Sequence, residues 1–315
     1  MRVLVTGGAG FIGSHLVDAL LARGDEVAMA DHLHRSPRPW FGEALLRGAQ
    51  LYAADIRDLD AIRPAFDAAR PEVVLHLAAQ ADVRHSVANP SFDAQVNVAG
   101  TVSVLEGARE VGARRVVMAS TAAVYGDPQE LPTTEDAAIA PLSPYGTSKA
   151  AAEWYLGQYQ RLYGISTLAL RMANVYGPRQ DPQGEAGVVS IFCGLAAAGG
   201  RATVFGNGRQ TRDYVFVHDV VEAWLAAATS DATGALNISS GVETSVLELA
   251  EALDLSYDFA PGRPGEIERS CLDPSAAAAQ LGWRPAVPLT TGLRRTLGAV
   301  PPAVRRPAPA ARGVP

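Results

Sequence analysis

Lysine is almost missing from this sequence. Among its 315 residues Lys149 is the single lysine, and every other basic side chain is arginine. Because the composition is so strongly biased toward arginine, most cationic positions here accept either lysine or arginine. Position 149 is the exception, since it has kept lysine. Arginine stays protonated and carries a broad planar head, so it cannot replace a compact ammonium held beside a reacting group. The lone lysine therefore marks a candidate chemical site.

Cysteines and long apolar runs are scarce as well. The two cysteines, Cys193 and Cys271, form neither a disulfide framework nor a metal-ligand pattern, so we predict no metal site and a reducing cytoplasm. No run of about 18 uncharged apolar residues occurs, and the chain opens directly on a strand pattern, so neither a membrane span nor a signal peptide is predicted. The net charge of −6 argues against nucleic acid as a partner.

The N-terminal segment combines a strand, a glycine-rich turn and a helix. Residues 2–6 form a short apolar run typical of a parallel strand buried on both faces. Gly7, Gly10 and Gly13 permit a tight turn, close approach of the backbone to a pyrophosphate and close helix packing. Phe11 and Ile12 then open a helix whose free N–H groups favour phosphate. This pattern predicts a dinucleotide site.

Asp31 indicates which dinucleotide binds. It ends a second strand, Glu26–Ala30, eighteen positions after Gly13. A carboxylate there can bind the adenosine ribose hydroxyls and would repel a 2′-phosphate, which favours NAD over NADP. Arg35 and Arg38 keep NADP open as an alternative.

Strands and helices alternate as far as about residue 171, which predicts a parallel sheet with right-handed crossovers. The fold class is therefore α/β, a Rossmann-type doubly wound sheet with a smaller, discontinuous α/β substrate-binding lobe. We predict an NAD-binding domain over 1–172, to which 213–240 returns, a nucleotide-sugar lobe over 173–212 and 241–300, and a disordered tail over 301–315. Residues 214–219 are expected to begin a helix.

Further cofactor contacts are expected where strands end, since doubly wound sheets bind ligands at that edge. Asp55 and Ile56, after the third strand, are placed to bracket an adenine. His76 is interpreted as a packed strand residue rather than a ligand. The small residues that follow it let a cofactor lie against the backbone: Leu77, Ala78, Ala79 and Gln80.

Tyr145 lies four positions before Lys149, so on a helix both side chains share one face. Ser143 can cap that helix, and Pro144 suits its first turn. A tyrosine with a pKa of about 10 is a poor base, but a neighbouring ammonium favours the phenolate. A decrease of about three units in that pKa corresponds to about 4 kcal/mol. Thr121, at the end of another strand, adds a hydroxyl at the same edge of the sheet.

These motifs resemble the extended short-chain dehydrogenase/reductase family, and most of all its UDP-glucose 4-epimerase group. The motifs that carry the resemblance are Thr6–Gly13, His76–Ala79, Asn97–Thr101, Tyr145-x-x-x-Lys149, Arg171–Pro182, Arg212–Tyr214 and Leu281–Trp283. The resemblance implies that Thr121, Tyr145 and Lys149 are catalytic. Tyr145 would take the proton of a sugar 4-hydroxyl while C4 gives hydride to tightly bound NAD. The 4-keto sugar would then turn over and be reduced on its other face.

The resemblance also implies further binding residues and partners. Asn97, Ser120 and Met172 would contact the cofactor, together with Tyr145 and Lys149. The substrate, a UDP-hexose, would be held by Asn174, Val188, Arg212, Arg263, Glu266 and Ser270. Arg212 and Arg263 would bind the diphosphate, for which the arginine fork is suited. A homodimer is expected through the helices at about 101–111 and 145–163.

Departures from related enzymes narrow the reaction. Ala122 and Ala123 stand where 4,6-dehydratases carry an acid pair. The side chains that would transfer protons during dehydration are therefore missing. Asp181 stands where glucuronate epimerases carry an arginine, which favours a neutral hexose. Ala81 replaces a lysine near the nicotinamide ribose of some bacterial epimerases. Ser270 replaces a bulky tyrosine, which opens the possibility that N-acetylated hexosamines are accepted.

Three alternatives stay open at this point. The chain could epimerise another nucleotide sugar, or it could be a 4-ketoreductase that consumes free NADPH. It could also be a non-catalytic NAD-sensing protein, because the fold alone does not imply activity. Retention of the tyrosine, the lysine and the threonine together argues against the last alternative.

Overall fold

The computed structural model describes residues 1–33, 39–181, 187–263 and 267–300. Its strands, in chain order, are β1 Arg2–Thr6, β2 Glu26–Asp31, β3 Gln50–Ala53, β4 Val73–His76, β5 Arg115–Thr121, β6 Ser166–Met172, β7 Asn174–Tyr176, β8 Ala202–Phe205, β9 Thr211–Phe216, β10 Gly234–Ile238, β11 Glu243–Ser245 and β12 Tyr257–Ala260. The helices are α1 Phe11–Ala22, α2 Pro39–Leu46, α3 Leu59–Ala69, α4 Val83–Ala88, α5 Pro90–Ala94, α6 Gly100–Glu110, α7 Pro144–Tyr163, α8 Val188–Ala198, α9 Val217–Thr229, α10 Val246–Ala252, α11 Ser275–Leu281 and α12 Leu289–Gly298.

Seven parallel strands form the central sheet in the order β10-β6-β5-β4-β1-β2-β3. From β1 the chain winds outward through β2 and β3, then returns to the other side of β1 with β4. The direction of winding therefore reverses between β1 and β4, which opens a crevice at their carboxyl ends. The predicted fold class, a doubly wound parallel α/β sheet, is confirmed.

Two apolar cores cover the two faces of this sheet. On one face, α1 and α9 bury Leu16, Leu20 and Trp224 against the strands. On the other face, α3, α6 and α7 bury Phe66 and Leu105 together with their neighbours. Because both faces are covered, the central strands are apolar throughout, which explains why they could be recognised in the sequence.

Smaller sheets carry the rest of the fold. One has the order β11-β9-β7, and the other pairs β12 with β8. A separate core that includes Tyr176, Phe192 and Phe216 packs these sheets against α8 and α12. The division of the chain into an NAD-binding domain and a substrate lobe stays a prediction, and the predicted tail over 301–315 lies outside the described residues.

The expected helix start at residues 214–219 is wrong for its first half. Tyr214, Val215 and Phe216 belong to β9, which pairs in parallel with β7 and antiparallel with β11, and α9 begins only at Val217. Val215 packs into the core beneath α1 and α9, whereas Tyr214 and Phe216 pack into the core of the smaller sheets. A strand buried on both faces is apolar without alternation, so its period cannot be distinguished from that of a buried helix. Within the described parts of the chain, no helix is both long and apolar enough to cross a bilayer.

Candidate active site

The glycine-rich turn between β1 and α1 lies flush against the end of β4. Gly7 has a φ of +71°, and a Cβ there would stand 2.7 Å from the Ala78 nitrogen. Gly13 is packed just as tightly against the Gly7 carbonyl oxygen. No described side chain caps α1 at Gly10, which leaves the N–H groups of its first turn to an anionic ligand. The turn therefore fits a pyrophosphate.

Asp31 closes β2 beside this turn. Its Oδ2 accepts a hydrogen bond from the Ala9 nitrogen at 3.0 Å, and its Oδ1 accepts one from the Leu33 nitrogen at 2.9 Å. The carboxylate is thus held between the glycine-rich turn and the loop after β2, where a ribose next to the pyrophosphate would lie. Arg35 and Arg38, which left NADP open, lie outside the described residues.

His76 links the ends of three elements around the crevice. Its Nδ1 lies 2.7 Å from Thr6 Oγ1, and its Nε2 lies 3.0 Å from Thr101 Oγ1. Because Thr101 donates its own proton to the Asn97 carbonyl oxygen, it accepts from Nε2–H, and Thr6 donates to Nδ1. Burial, together with the charge of Lys149, lowers the pKa of His76 to about 3. His76 is thus a neutral, packed strand residue, as the sequence predicts.

Asn97 joins the segment after β4 to α7. It lies in a wide π-helical turn, Gln95–Ala99, a feature that occurs mostly at functional sites. Its amide accepts from the Gln80 nitrogen and donates to the Gln80 oxygen, both at 2.9 Å. The same amide donates to Asp93 Oδ1 and Ser148 Oγ, each at 3.1 Å. Asn97 therefore fixes the backbone at Gln80 along the expected path of the cofactor.

Asp55 and Ile56 follow β3 at the far side of the crevice. The Asp55 carboxylate accepts from Arg57 Nη2 at 2.6 Å, and the hydrogen bonds from Arg57 lower the pKa of Asp55. Ile56 is buried against Gly100, where a Cβ would stand 2.8 Å from Ile56 Cδ1. A contact between these residues and an adenine stays a prediction, as does the contact of Leu77 and Ala79 with the cofactor.

The N-terminus of α7 presents Tyr145. Ser143 caps the helix by accepting from the Gly146 nitrogen at 3.1 Å, and Pro144 opens its first turn, which confirms both expectations. The Tyr145 nitrogen donates to Ser86 Oγ at 3.1 Å. A Cβ on Gly146 would stand 2.5 Å from the Ala123 oxygen, so this turn rests directly on the segment after Thr121. The fold thus brings Tyr145 beside the end of β5.

Lys149 points inward one turn later. It is 3% exposed, and its Nζ donates to the Ala119 carbonyl oxygen at 3.0 Å. Burial lowers the pKa of Lys149 to about 8, while the negative charges of Asp93 and Glu153 act in the opposite direction. Because that value still exceeds 7, the ammonium form predominates at neutral pH, as an electrostatic partner of Tyr145 requires.

Thr121 and Ser120 leave β5 on opposite faces, because side chains alternate along a strand. Thr121 Oγ1 accepts from the Ala123 nitrogen at 3.2 Å, so its hydroxyl keeps a proton to donate. Ser120 is buried and donates its hydroxyl proton to Glu153 Oε1. The contact between Ser120 and the cofactor stays a prediction. Met172, opposite Thr121 in the register of β6, is also buried.

The expected substrate residues belong to the smaller sheets and their loops. Arg212, on β9, donates to the Thr211 oxygen at 2.7 Å. Arg263, which follows β12, stands with its Cζ 3.8 Å from the centroid of the Phe205 ring, a cation–π contact that orients the guanidinium. Asn174 begins β7, Val188 begins α8, and Ser270 is half-buried. Glu266 lies outside the described residues. Substrate binding by this set stays a prediction.

Sequence reasoning missed several residues that shape the site. Glu153 lies four positions after Lys149, a helical spacing that would have placed it on the same face. Asp93 precedes Asn97 by the same interval. Phe205 carries no such signal, because its stacking with Arg263 joins two strands that are far apart in the chain. Of these three, Glu153 and Asp93 were recoverable from spacing, and Phe205 was not.

The fold and the site define a class of protein. A glycine-rich turn at the switch point, an acid after β2, and a tyrosine and lysine on one helix beside a strand-end threonine are the features of a dinucleotide-dependent short-chain dehydrogenase/reductase.

Comparisons with known proteins make this assignment more specific. The sequence pattern of the GDP-mannose 4,6 dehydratase family matches residues 4–296. A UDP-glucose 4-epimerase of Mycolicibacterium smegmatis is 45% identical over 94% of this chain and 97% of its own length. The UDP-glucose 4-epimerase of Thermotoga maritima, solved with UDP-glucose, superimposes with a TM-score of 0.90 at 42% identity, over 95% of this chain and 98% of that one. The enzyme of Thermus thermophilus, solved with NAD, gives 0.87 at 43% identity and the same coverage.

The chain belongs to this family, the extended short-chain dehydrogenases/reductases that act on nucleotide sugars, and falls in its UDP-glucose 4-epimerase group. The resemblance inferred from the motifs is confirmed. The motifs were informative because they extend over almost the whole chain and are not confined to the glycine-rich turn.

Proposed function

We propose that this protein is an NAD-dependent UDP-hexose 4-epimerase that interconverts UDP-glucose and UDP-galactose through a transient 4-keto sugar. One observation carries the proposal. The only lysine of the chain is buried with its ammonium on the Ala119 carbonyl, one helical turn from Tyr145 and beside the strand that ends in Thr121. The activities of the relatives, which are isomerases acting on carbohydrates, agree with it.

The chain's own residues fit NAD. The tight glycine turn and the uncapped start of α1 would hold the pyrophosphate, and the fixed Asp31 carboxylate would accept from ribose hydroxyls and repel a 2′-phosphate. Bound there, NAD supplies reversible acceptance of hydride from the sugar C4. The Thermus thermophilus relative, which was solved with NAD, supports the same assignment.

Each catalytic residue has a distinct task. Tyr145 takes the proton from the sugar 4-hydroxyl and returns it after the keto sugar has turned over. Lys149 favours the phenolate form of Tyr145 by its charge, which the protein keeps out of water. Thr121 donates its hydroxyl proton to the same sugar oxygen, because its contact with the Ala123 nitrogen is one that Oγ1 accepts and leaves that proton available.

Dehydration has no agents in this site. Ala122 and Ala123 form the short turn after Thr121, where an acid and a base would be required to remove water from the sugar. Epimerisation needs only one proton acceptor and a ketone able to present both faces. The side chains at the end of β5 therefore favour epimerisation over elimination, although the family carries a dehydratase name.

In this proposal the substrate is a UDP-hexose whose sugar carries no charge. Arg212 and Arg263 are the cations assigned to the diphosphate, with Arg263 oriented in advance by Phe205. Asp181 would repel a sugar carboxylate, which disfavours UDP-glucuronate. The small Ser270 leaves room for an N-acetyl group, so N-acetylated hexosamines are included as secondary substrates.

The protein is also proposed to act as a homodimer in the cytoplasm. Helix α7 leaves Trp154, Tyr155, Leu162 and Tyr163 exposed along one side, next to α6. Contiguous exposed apolar surface of this kind marks interfaces. Light scattering should show a dimer that Trp154→Arg converts to monomer, whereas Leu46→Arg, an equally drastic change at an exposed leucine of α2, should not. A Trp154→Arg variant that stays dimeric would refute this interface.

The test of function is a product analysis. Purified protein is incubated with UDP-glucose, UDP-galactose, UDP-N-acetylglucosamine and dTDP-glucose without added NAD, and the stereochemistry at C4 is read by NMR. Epimerisation without added cofactor supports the proposal, whereas a requirement for stoichiometric NADPH would indicate a ketoreductase. Absence of any turnover would favour an NAD-sensing protein.

Tyr145→Phe should abolish turnover and retain bound NAD, and an active Tyr145→Phe protein would disprove the assigned base.

A further inference from the structure

A buried ion pair lies directly behind the proposed catalytic residues. Arg171 Nη2 donates to Glu153 Oε2 at 2.7 Å, and Arg171 Nε donates to Glu153 Oε1 at 3.0 Å. The side chains are 8% and 10% exposed, respectively. Ser120 donates a third hydrogen bond to Glu153 Oε1. The reaction as described above uses neither charge.

The pair joins the helix that carries Tyr145 to the strands that carry Thr121. Glu153 lies one turn after Lys149 on α7, and Ser120 and Arg171 are partners in the register of β5 and β6. Lys149 binds the Ala119 oxygen in the preceding turn. Two successive turns of α7 are therefore attached to two consecutive residues of β5, just before Thr121.

The same network reaches the segment that follows Thr121. Arg171 Nη1 donates to the Tyr125 hydroxyl at 2.9 Å, and its guanidinium lies 5.0 Å from the centroid of the Tyr125 ring. The Tyr125 hydroxyl donates to Asn237 Oδ1 at 2.8 Å. Tyr125 comes directly after the short turn that Thr121 caps. Thr121 is thus held from both sides by residues that converge on the ion pair.

We propose that Glu153 is a positioning residue of the epimerase reaction, which fixes α7 against β5 so that Tyr145 and Lys149 keep a constant distance from Thr121. It touches none of the reacting atoms and acts through Ser120, Arg171 and Lys149. Positions of reacting groups must be held within about 1 Å, because a displacement of that size can reduce a rate about 100-fold. The proposal rests on the proposed function, since the distance it fixes matters only if those three residues react.

Glu153 has an electrostatic effect in addition. The titratable groups that face Lys149 are the carboxylates of Asp93 from α5 and Glu153 from its own helix, and the neutral imidazole of His76 from β4. Burial lowers the pKa of Lys149, and the two carboxylates oppose that effect. Removal of one carboxylate lowers the pKa of Lys149 further, so its ammonium is lost at a lower pH.

The test compares Glu153→Gln with the wild type by steady-state kinetics over a range of pH. The glutamine has the shape of the glutamate, but its amide N–H groups oppose the donors of Arg171. We expect kcat to fall about 10- to 100-fold with little change in KM, because the substrate contacts lie elsewhere. We also expect the alkaline limb of the kcat profile to move to lower pH. The cofactor content, read from the absorbance of the purified protein, should stay unchanged.

Two further variants separate positioning from stability. Arg115→Met removes a different buried arginine, at the opposite end of β5 from Thr121, and should lower the melting temperature without a change in kcat or its pH profile. Ser120→Ala removes one link to Glu153, and in the double variant with Glu153→Gln its effect on kcat should largely disappear because both act through one contact. If Glu153→Asp, which keeps the charge, restores the pH profile but not kcat, distance is the governing factor.

The outcomes are distinguishable. A wild type without epimerase activity refutes the proposed function and not the attachment of α7, which amide exchange at residues 119–125 in Glu153→Gln would still report. A Glu153→Gln protein that melts earlier yet keeps its kcat and pH profile overturns the positioning role. Multiplicative losses in the double variant overturn the coupling through Ser120.

Discussion

Replacing Lys149 with methionine separates the two contributions of this residue, its shape and its charge. The side chain is buried, and its Nζ donates a hydrogen bond to the Ala119 oxygen. Methionine fills nearly the same volume, so the variant should fold and retain its cofactor. The positive charge beside Tyr145 is lost together with the hydrogen bond to the Ala119 oxygen, and the pH dependence distinguishes the effect of the charge from that of the hydrogen bond.

The size of the effect follows from the helical spacing. Side chains four positions apart on a helix are about 6 Å apart. At an effective dielectric constant of about 20, a unit charge at that distance contributes about 3 kcal/mol. This energy corresponds to about two units in the pKa of the phenol, so kcat at neutral pH should fall about 100-fold.

The pH dependence gives the sharper test, because activity should fall with rising pH in the wild type and rise with pH in the methionine variant. In the wild type, activity falls as the pH rises through the pKa of Lys149, which burial lowers to about 8. In the methionine variant no ammonium remains to lose, so activity should rise with pH until an unassisted phenol ionises at about 10. The two proteins should therefore converge at high pH.

The assay is epimerisation of UDP-galactose from pH 6 to pH 10, with bound cofactor quantified at each pH. A loss of equal size at every pH would refute the electrostatic role of Lys149. Lys149→Arg is the matched variant, since it keeps the charge with a larger, planar head. Full activity in Lys149→Arg would refute the argument that only a compact ammonium fits this position.

Three further predictions concern stability and specificity. Arg115→Met should reduce the free energy of unfolding in urea by about 2–4 kcal/mol, because the buried Arg115 guanidinium satisfies four acceptors. His76 has a pKa of about 3 in the fold against 6.5 when exposed, so the unfolded chain gains the proton first. Stability should fall by about 2 kcal/mol from pH 7 to pH 5, and His76→Gln should lack that share. Ser270→Tyr should abolish turnover of UDP-N-acetylglucosamine and leave UDP-glucose turnover intact; equal losses on both sugars would contradict the assigned role of Ser270.

Sequence reasoning could propose the catalytic residues because each of them follows a local rule. Tyr145 and Lys149 are related by helical spacing, Asp31 by its place after β2, and Thr121 by its place at the end of β5. The strands of the central sheet were recognisable because both faces are buried. These signals depend only on nearby positions in the chain.

The supporting contacts follow no local rule. Glu153 and Arg171 are 18 positions apart, and the Tyr125–Asn237 hydrogen bond spans 112 positions. Such pairs become neighbours only once the order of the strands is fixed. The strand β9 was misread for a related reason: its apolar residues are buried on both faces, Val215 in one core and Tyr214 and Phe216 in another, by elements that are distant in sequence. Tertiary pairing, rather than local propensity, decided these features.

The choice between arginine and lysine at buried positions follows from the number of acceptors. Arg115 finds four acceptors in its pocket, and Arg171 finds the Glu153 carboxylate, the Tyr125 hydroxyl and the Glu135 oxygen. A planar fork with five donors suits such sites. Lys149 has a protein acceptor at the Ala119 oxygen, and a guanidinium there would leave buried N–H groups unsatisfied, at a cost of about 1–3 kcal/mol each. In the proposed reaction an ammonium would instead turn its remaining donors toward Tyr145 and the bound cofactor. On that proposal, the one position that kept lysine is the one where the remaining acceptors would arrive with the ligands.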